Sequence, residues 1–343
     1  MHIAKIFIIS LLVSLASVPI VRAIALACNI VDIPGGRKIH KAATPLLGGI
    51  PIYCGLIAGL ACRPALIRAF LPLLIGSTFI LILGLMNDIR PLSARLRLYI
   101  QVLISLGMAL TEYRISFMPR GFWGDSVEIA ITVVWLVGVT NAYNYLDGLD
   151  GLAGGSAAIN LFCFGVILWK TRQYPLAALS VIIIGSSLGF LPFNFSGRWK
   201  VFLGEAGSTF LGFVLAGTAL VGNWAEDNVV KLSVPILVLG VPIFDMVFTT
   251  VMRIAEGKIK NLVQWLEYCD KDHFHHRLVD LGLRPKASSV FIWFITLSLG
   301  ISAIMVNNDP AVEAYLSLTQ AAIIFGIIAC VIVIGKRRRS GWD

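Results

Sequence analysis

The chain has 343 residues, of which 57% are hydrophobic and 14% charged, with a mean hydropathy of +0.85. Soluble domains carry roughly 25% charged residues, so a soluble globular enzyme is excluded, and so is disorder, which needs few apolar residues. The net charge of +9 suits nucleic acid, anionic lipid or anionic small molecules until the basic residues are given positions.

Apolar runs of about 20 residues without strict alternation predict membrane-spanning helices rather than barrel strands. Eleven spans are expected, at roughly 3–24, 46–62, 69–87, 98–111, 127–145, 151–169, 176–193, 207–223, 232–252, 288–306 and 314–335. The second and fourth are short. The first looks something like a secretory leader, but its length keeps it as a span. With the N-terminus outside and the C-terminus cytoplasmic, 20 of the 28 Lys and Arg residues fall on the inner side, as the positive-inside rule requires. The expected fold is therefore an all-α polytopic integral membrane protein, one multi-span domain over residues 1–343. Its cytoplasmic loops are expected at about 25–45, 87–97, 142–150, 194–208 and 253–287, with a basic tail at 336–343. The six cysteines contain no C-x-x-C and read as packing residues.

This topology collects the unusual polar clusters on the inner side. The first, Gly36-Arg37-Lys38-Ile39-His40-Lys41, leads through Thr44-Pro45 to Gly48-Gly49 and suits an anionic headgroup or a nucleotide. Asn87-Asp88 follows the third span, beside Arg90; alone it is better explained by a turn with an ion pair. The run Asn141-Ala-Tyr-Asn144-Tyr-Leu-Asp147-Gly-Leu-Asp150-Gly-Leu closes the fifth span with polar side chains three apart. That spacing keeps them close on a helix surface. Carboxylates at a membrane edge are costly unless paired, wet or ligating metal.

Before the eighth span, Phe202-Leu203-Gly204-Glu205-Ala206-Gly207-Ser208 puts a carboxylate between glycines, at a helix start suited to anions, with Phe202 available to stack on a base. Asp245 lies inside the ninth span, and divides evenly between a functional role and a buried helix-holding hydrogen bond. The cluster His273-Phe-His275-His276-Arg277 concentrates three of the chain's five histidines. A cationic, hydrogen-bonding cradle for phosphate explains it better than zinc, which needs more convergent ligands.

Taken together, these clusters resemble the polyprenyl-phosphate N-acetylhexosamine-1-phosphate transferase family, over about residues 31–285. The family's aspartate pair resembles Asn87-Asp88, its Gly-Asp-x-Gly-Ser resembles Gly204 to Ser208, and its histidine motif resembles His273 to Arg277. The H-x-H-H form is closer to the N-acetylglucosamine-type branch than to the phospho-MurNAc-pentapeptide translocase branch. Two positions depart from the pattern. Asn87 replaces an acid, and Glu205 replaces an Asp that ligates magnesium in the family. Leu46 stands where Arg is frequent.

The resemblance implies an enzyme that transfers a sugar-1-phosphate from a UDP-N-acetylhexosamine to polyprenyl phosphate and releases UMP, early in cell-surface glycan synthesis. It places the protein in a bacterial inner membrane, with the site on the cytoplasmic face. It implies Mg²⁺, with Mn²⁺ as the alternative, held by Asn144 and Glu205. Asp88 and Asn87 fall at the acceptor, and Asp147 and Asp150 at the nucleotide. His275, His276, His273, Arg277, His40 and Lys41 fall at phosphate oxygens, Asn141 at the substrate and Phe202 at the base. The bilayer and the two substrates are the expected partners, with a homodimer as a further expectation and no nucleic acid. The translocase is the alternative within the family. A transporter or a catalytically silent lipid- or nucleotide-binding member is the alternative outside the enzyme class.

Overall fold

The computed structural model describes residues 2–33, 43–111, 113–195, 199–261, 264, 268, 272–306 and 311–339. His40 and Lys41 lie outside these residues. The chain forms α1 (His2–Ala27), a two-residue antiparallel ladder of β1 (Val31–Asp32) with β2 (Thr44–Pro45), α2 (Gly49–Ala61), α3 (Ala65–Ala69), α4 (Leu71–Ile89) and α5 (Ala94–Ala109). There follow α6 (Phe122–Leu146), α7 (Leu152–Lys170), α8 (Tyr174–Phe195), α9 (Gly204–Val221), α10 (Asn228–Val238), α11 (Gly240–Ala255), α12 (Phe274–Asp280), α13 (Pro285–Val306) and α14 (Ala311–Arg339).

Among the described residues, eight helices are long and apolar enough to cross a membrane, and α10 with α11 makes a ninth, bent by 77°. The protein is thus an all-α polytopic membrane protein, apart from the small ladder. A helix stands at each of the eleven expected positions. The two short ones are α2, with 13 residues, and α5, with 16. At about 1.5 Å per residue these reach roughly 20 and 24 Å, less than a hydrocarbon core of about 30 Å. The break between α10 and α11 has a local cause. Gly240 opens α11 and Pro242 follows in its first turn, where a proline lacks the N–H needed to continue the preceding helix.

The bundle is organised around α9. Fifteen of its 18 residues are buried, and it packs on α4, α6, α2 and α7. Small residues permit the approach. A side-chain carbon at Gly49 would lie 2.5 Å from Gly207 N, and one at Gly84 would lie 2.5 Å from Ala206 Cα. Close backbone approach of this kind supplies the dispersion contacts that hold helices together in lipid. The outward faces carry Ile, Leu, Val and Phe, as on Phe79, Val134 and Phe294. The C-terminal ends of α4, α6 and α8 and the N-terminal ends of α2, α5, α7, α9 and α13 lie together at one end of the bundle, judged by the hydrogen bonds that join them.

Candidate active site

The site is built on the first turn of α9. Gly204 adopts φ +74°, and a side chain there would meet Asp88 Oδ2 at 2.6 Å. Asp88, near the end of α4, accepts the backbone N–H of Glu205 at 2.9 Å and that of Ala206 at 3.0 Å. Those amides have no partner within α9, and a carboxylate there also complements the positive end of the helix dipole. Both Asp88 oxygens are therefore committed to holding the start of α9.

Glu205 projects from that turn toward α4 and α5. Its Oε2 accepts from Asn87 Nδ2 at 2.9 Å and pairs with Arg97 Nη1. Asn87 Oδ1 accepts the Leu92 N–H at 2.8 Å, which sets the amide with its nitrogen toward Glu205. Asn87 is thus a neutral donor to the glutamate. One turn into α9, Ser208 Oγ donates to Asn144 Oδ1 at 3.0 Å. The two residues expected to ligate metal each already accept hydrogen bonds.

On the α6–α7 turn, the Asp147 carboxylate is half-buried and has no hydrogen-bond donor among the described residues. Burial, followed by the nearby charges of Asp88 and Asp150, pushes its pKa up from 3.8 to about 8. Asp150 has a partner in Lys200 Nζ at 2.7 Å, and the same ammonium lies 4.9 Å from the Phe202 ring centroid. Asn141 lies deeper, where its Nδ2 donates to Gln101 Oε1 at 2.7 Å and to Val137 O at 2.8 Å. It supports the α5–α6 contact. The turn itself is held by Asn194, which accepts the Gly151 N–H at 2.7 Å and donates to Val201 O at 2.9 Å.

The histidine segment folds onto this turn. The His273 ring stacks on Tyr145 at 5.0 Å, and its Nδ1 lies 3.1 Å from Asp245 Oδ2. Arg253 forms a two-point pair with Asp272 at 2.9 and 2.6 Å, and Nη2 approaches His273 Nε2 at 3.4 Å. Arg277 Nε donates to the Asp272 carbonyl and its guanidinium covers Phe248. His275 differs from His273. It is 1% exposed, neither ring nitrogen has a partner, and its Nε2 lies 2.0 Å from where a Gly148 side chain would begin. Burial above all, then the neighbouring His276, pushes its pKa down to about 3. His276 is half-buried, its ring 4.2 Å from that of His275.

The expected side chains of the α4, α6 and α9 ends thus come together, and those of the histidine segment meet the α6–α7 turn. Asn141 stands behind the site, and His273 is engaged within the protein. Arg97, Lys200, Thr249 and Arg253 were not anticipated. Arg97 lies in the first turn of α5 and Lys200 just before α9, both in segments that read in sequence only as basic loops. The spacing of four in Asp245, Thr249 and Arg253 was a readable signal of one helix face.

Among the described residues, no three His, Cys, Asp or Glu side chains converge as a metal-holding group. The chemistry of the donors still fits a hard divalent ion. Asp147 is an unpartnered carboxylate whose pKa is raised by burial first and then by two neighbouring acids, and Asn144 and Glu205 carry further side-chain oxygens at the same end of the bundle. Mg²⁺ is commonly held by one or two carboxylates together with substrate phosphates.

Residues 70–223 match the family described as glycosyl transferase family 4. A Bacillus subtilis (strain 168) protein named "Probable undecaprenyl-phosphate N-acetylglucosaminyl 1-phosphate transferase" is 35% identical, over 88% of this chain and 84% of its own length. The decaprenyl-phosphate N-acetylglucosaminephosphotransferase of Mycobacterium tuberculosis (strain ATCC 25618 / H37Rv) is 30% identical, over 94% of this chain and 87% of its own. The undecaprenyl-phosphate alpha-N-acetylglucosaminyl 1-phosphate transferase of Escherichia coli (strain K12) is 25% identical, over 89% and 84%. With Asp88, Asn144, Asp147 and the Gly204–Ser208 turn assembled at one end of such a bundle, this chain belongs to glycosyl transferase family 4, among the polyprenyl-phosphate N-acetylglucosamine-1-phosphate transferases.

Proposed function

We propose that this enzyme moves N-acetylglucosamine-1-phosphate from UDP-N-acetylglucosamine to polyprenyl phosphate at the inner face of a bacterial cytoplasmic membrane. An oxygen of the lipid phosphate attacks the sugar-bearing β-phosphorus. The bond between that phosphorus and the bridging oxygen breaks, UMP leaves with the electron pair, and a new pyrophosphate joins lipid to sugar. What supports this reading is the unpartnered carboxylate of Asp147, near Asp88 and Asp150 and next in sequence to the Gly148 that His275 packs against, at the end of the bundle where Arg97 and Lys200 hold Glu205 and Asp150.

The second pKa of a phosphate monoester lies near 6, so the acceptor is already largely a dianion at neutral pH. The reaction therefore makes little demand for a base, which agrees with a neutral Asn87 and with Asp88 committed to α9. The larger barrier is bringing two anions together, which fixed donors and cations lower. Arg97 and Lys200 each hold a carboxylate in this structure and turn to substrate phosphate when it arrives. Neutral His275 offers one N–H and one lone pair to substrate oxygens, beside His276 and Arg277. Phe202 presents a ring face to uracil, with Asp150 at the nucleotide, and Lys41 and His40 add charge for the acceptor. Asp147, Asn144 and Glu205 would hold Mg²⁺ or Mn²⁺, whose charge would screen the phosphates from each other.

The basic loops support this sidedness, since 20 of the 28 Lys and Arg residues are expected on the inner side. UMP release is the test, with purified protein, polyprenyl phosphate, Mg²⁺ and a panel of UDP-sugars. Turnover is expected with UDP-N-acetylglucosamine, and a folded preparation that releases no UMP from any UDP-sugar overturns the reading.

A further inference from the structure

The three histidines of the segment divide between two tasks. On α11, Asp245, Thr249 and Arg253 stand four residues apart on one face, and all are buried, at 0%, 1% and 3% exposure. Asp245 and Arg253 bond the segment from 272 to 274, and Thr249 bonds Asp245. Asp245 Oδ1 accepts the Phe274 N–H at 2.6 Å and the Thr249 hydroxyl at 3.3 Å, while Oδ2 faces His273 Nδ1 at 3.1 Å. Arg253 clasps Asp272 through two nitrogens and reaches His273 Nε2 at 3.4 Å. An ionised carboxylate only accepts and a guanidinium only donates. His273 therefore carries its proton on Nδ1, toward Asp245, and turns the Nε2 lone pair toward Arg253. Both nitrogens are used inside the protein, and Tyr145 covers the ring.

The geometry points to Asp245, Thr249 and Arg253 as a rack that positions the histidine segment, with His273 as its strut and His275 as the histidine left to meet substrate. The rack acts through two joints. The Phe274 amide sets where α12 begins, and the stacked His273 ring sets how close that helix comes to the turn after α6. His275, two residues on, is thereby pressed against Gly148 with both nitrogens free of protein partners. Asp245, Thr249 and Arg253 are positioning residues, since all three are buried and bond groups of the protein itself.

This inference rests on the transferase reading, and its test separates the two. Asparagine places an amide N–H where Nδ1–H of histidine stands, so His273→Asn keeps the contact to Asp245. Four full-length variants, His273→Asn, His273→Leu, Asp245→Ala and His275→Asn, are compared with wild type in the UMP-release assay for kcat and KM. Hydrogen exchange at the Phe274 amide is followed in parallel. His273→Asn is expected within about threefold of wild-type kcat/KM, while His275→Asn, which leaves no nitrogen at the Nε2 position against Gly148, loses about a hundredfold, the loss typical of removing one fixed donor. Asp245→Ala and His273→Leu are expected to lose turnover, and Asp245→Ala to lose protection at Phe274 that His273→Asn retains. The proposal is overturned if His273→Asn is as inactive as His275→Asn while its Phe274 amide stays protected. It is also overturned if Asp245→Ala leaves that amide protected. If wild type releases no UMP, the transferase reading fails by itself, and the exchange data still decide whether the rack holds the segment.

Discussion

Asp88→Asn gives the sharpest test of how the site is held. A carboxylate at this position accepts two backbone N–H groups, from Glu205 at 2.9 Å and Ala206 at 3.0 Å. Asparagine keeps one acceptor and turns an N–H₂ toward the other donor. A hydrogen bond to a charged group contributes about 1.5–3 kcal/mol, and the charge at the helix start adds about 0.5 kcal/mol. Losing one bond and the charge costs about 2–3.5 kcal/mol. At 2–4 °C per kcal/mol, the scale for domains of moderate size, Tm falls by roughly 4–14 °C. The assay is thermal unfolding of the detergent-purified protein without substrate, at one scan rate for both proteins because such unfolding is often irreversible. Activity falls as well, because the Glu205 turn shifts. An Asp88→Asn protein with wild-type Tm and no turnover would refute the holding role and return Asp88 to direct chemistry.

Three further predictions follow from the same geometry. Gly204→Ala combines a left-handed φ of +74° with a carbon 2.6 Å from Asp88 Oδ2, so it is expected to abolish turnover and lower Tm at least as far as Asp88→Asn; an active, stable variant would contradict the turn. Asp147 has a folded pKa of about 8 against 3.8. Its ionisation therefore costs stability that grows as pH rises from about 4 and is fully present above 8. Discounted for a half-buried site, that cost is about 2 kcal/mol. Asp147→Asn is thus expected to be more heat-stable than wild type at pH 8.5 and equal to it near pH 4, by unfolding scans at the two pH values. Arg97→Gln removes the cation paired with Glu205, and is expected to raise Mn²⁺ affinity about tenfold by electron paramagnetic resonance of the free ion. That corresponds to about 1.4 kcal/mol for one partly exposed charge pair. Unchanged affinity would show that Glu205 takes no part in holding an ion.

The positions of the spanning helices were legible because most are long apolar runs. The candidate site was legible as polar residues at the ends of apolar runs, where they are costly, as at Asn144, Asp147 and Glu205, which the structure brings to one end of the bundle. Partners were not legible. Arg97 reaches Glu205 across 108 residues and Lys200 reaches Asp150 across 50, and local pattern carries no signal for pairs so distant. The histidine cluster looked uniform in sequence, since only the fold shows that Asp245, 28 residues earlier, takes one ring for itself. The break at Leu239 was hidden for a different reason. Gly240 and Pro242 interrupt the helix without lowering its hydropathy, so a window average passed over them.

The opposite flank of α11 presents Val247, Val251 and Ile254, which are 52%, 57% and 60% exposed. With the positioning role proposed for Asp245 and Arg253, the histidine segment depends on a helix whose opposite side is apolar and exposed, as a lipid-facing side would be. A bilayer whose thickness tilts α11 would carry Asp245 and Arg253 with it and shift His275 against Gly148. Turnover is therefore expected to vary with acyl-chain length on reconstituting the enzyme in bilayers of graded thickness, and a constant rate would refute that coupling.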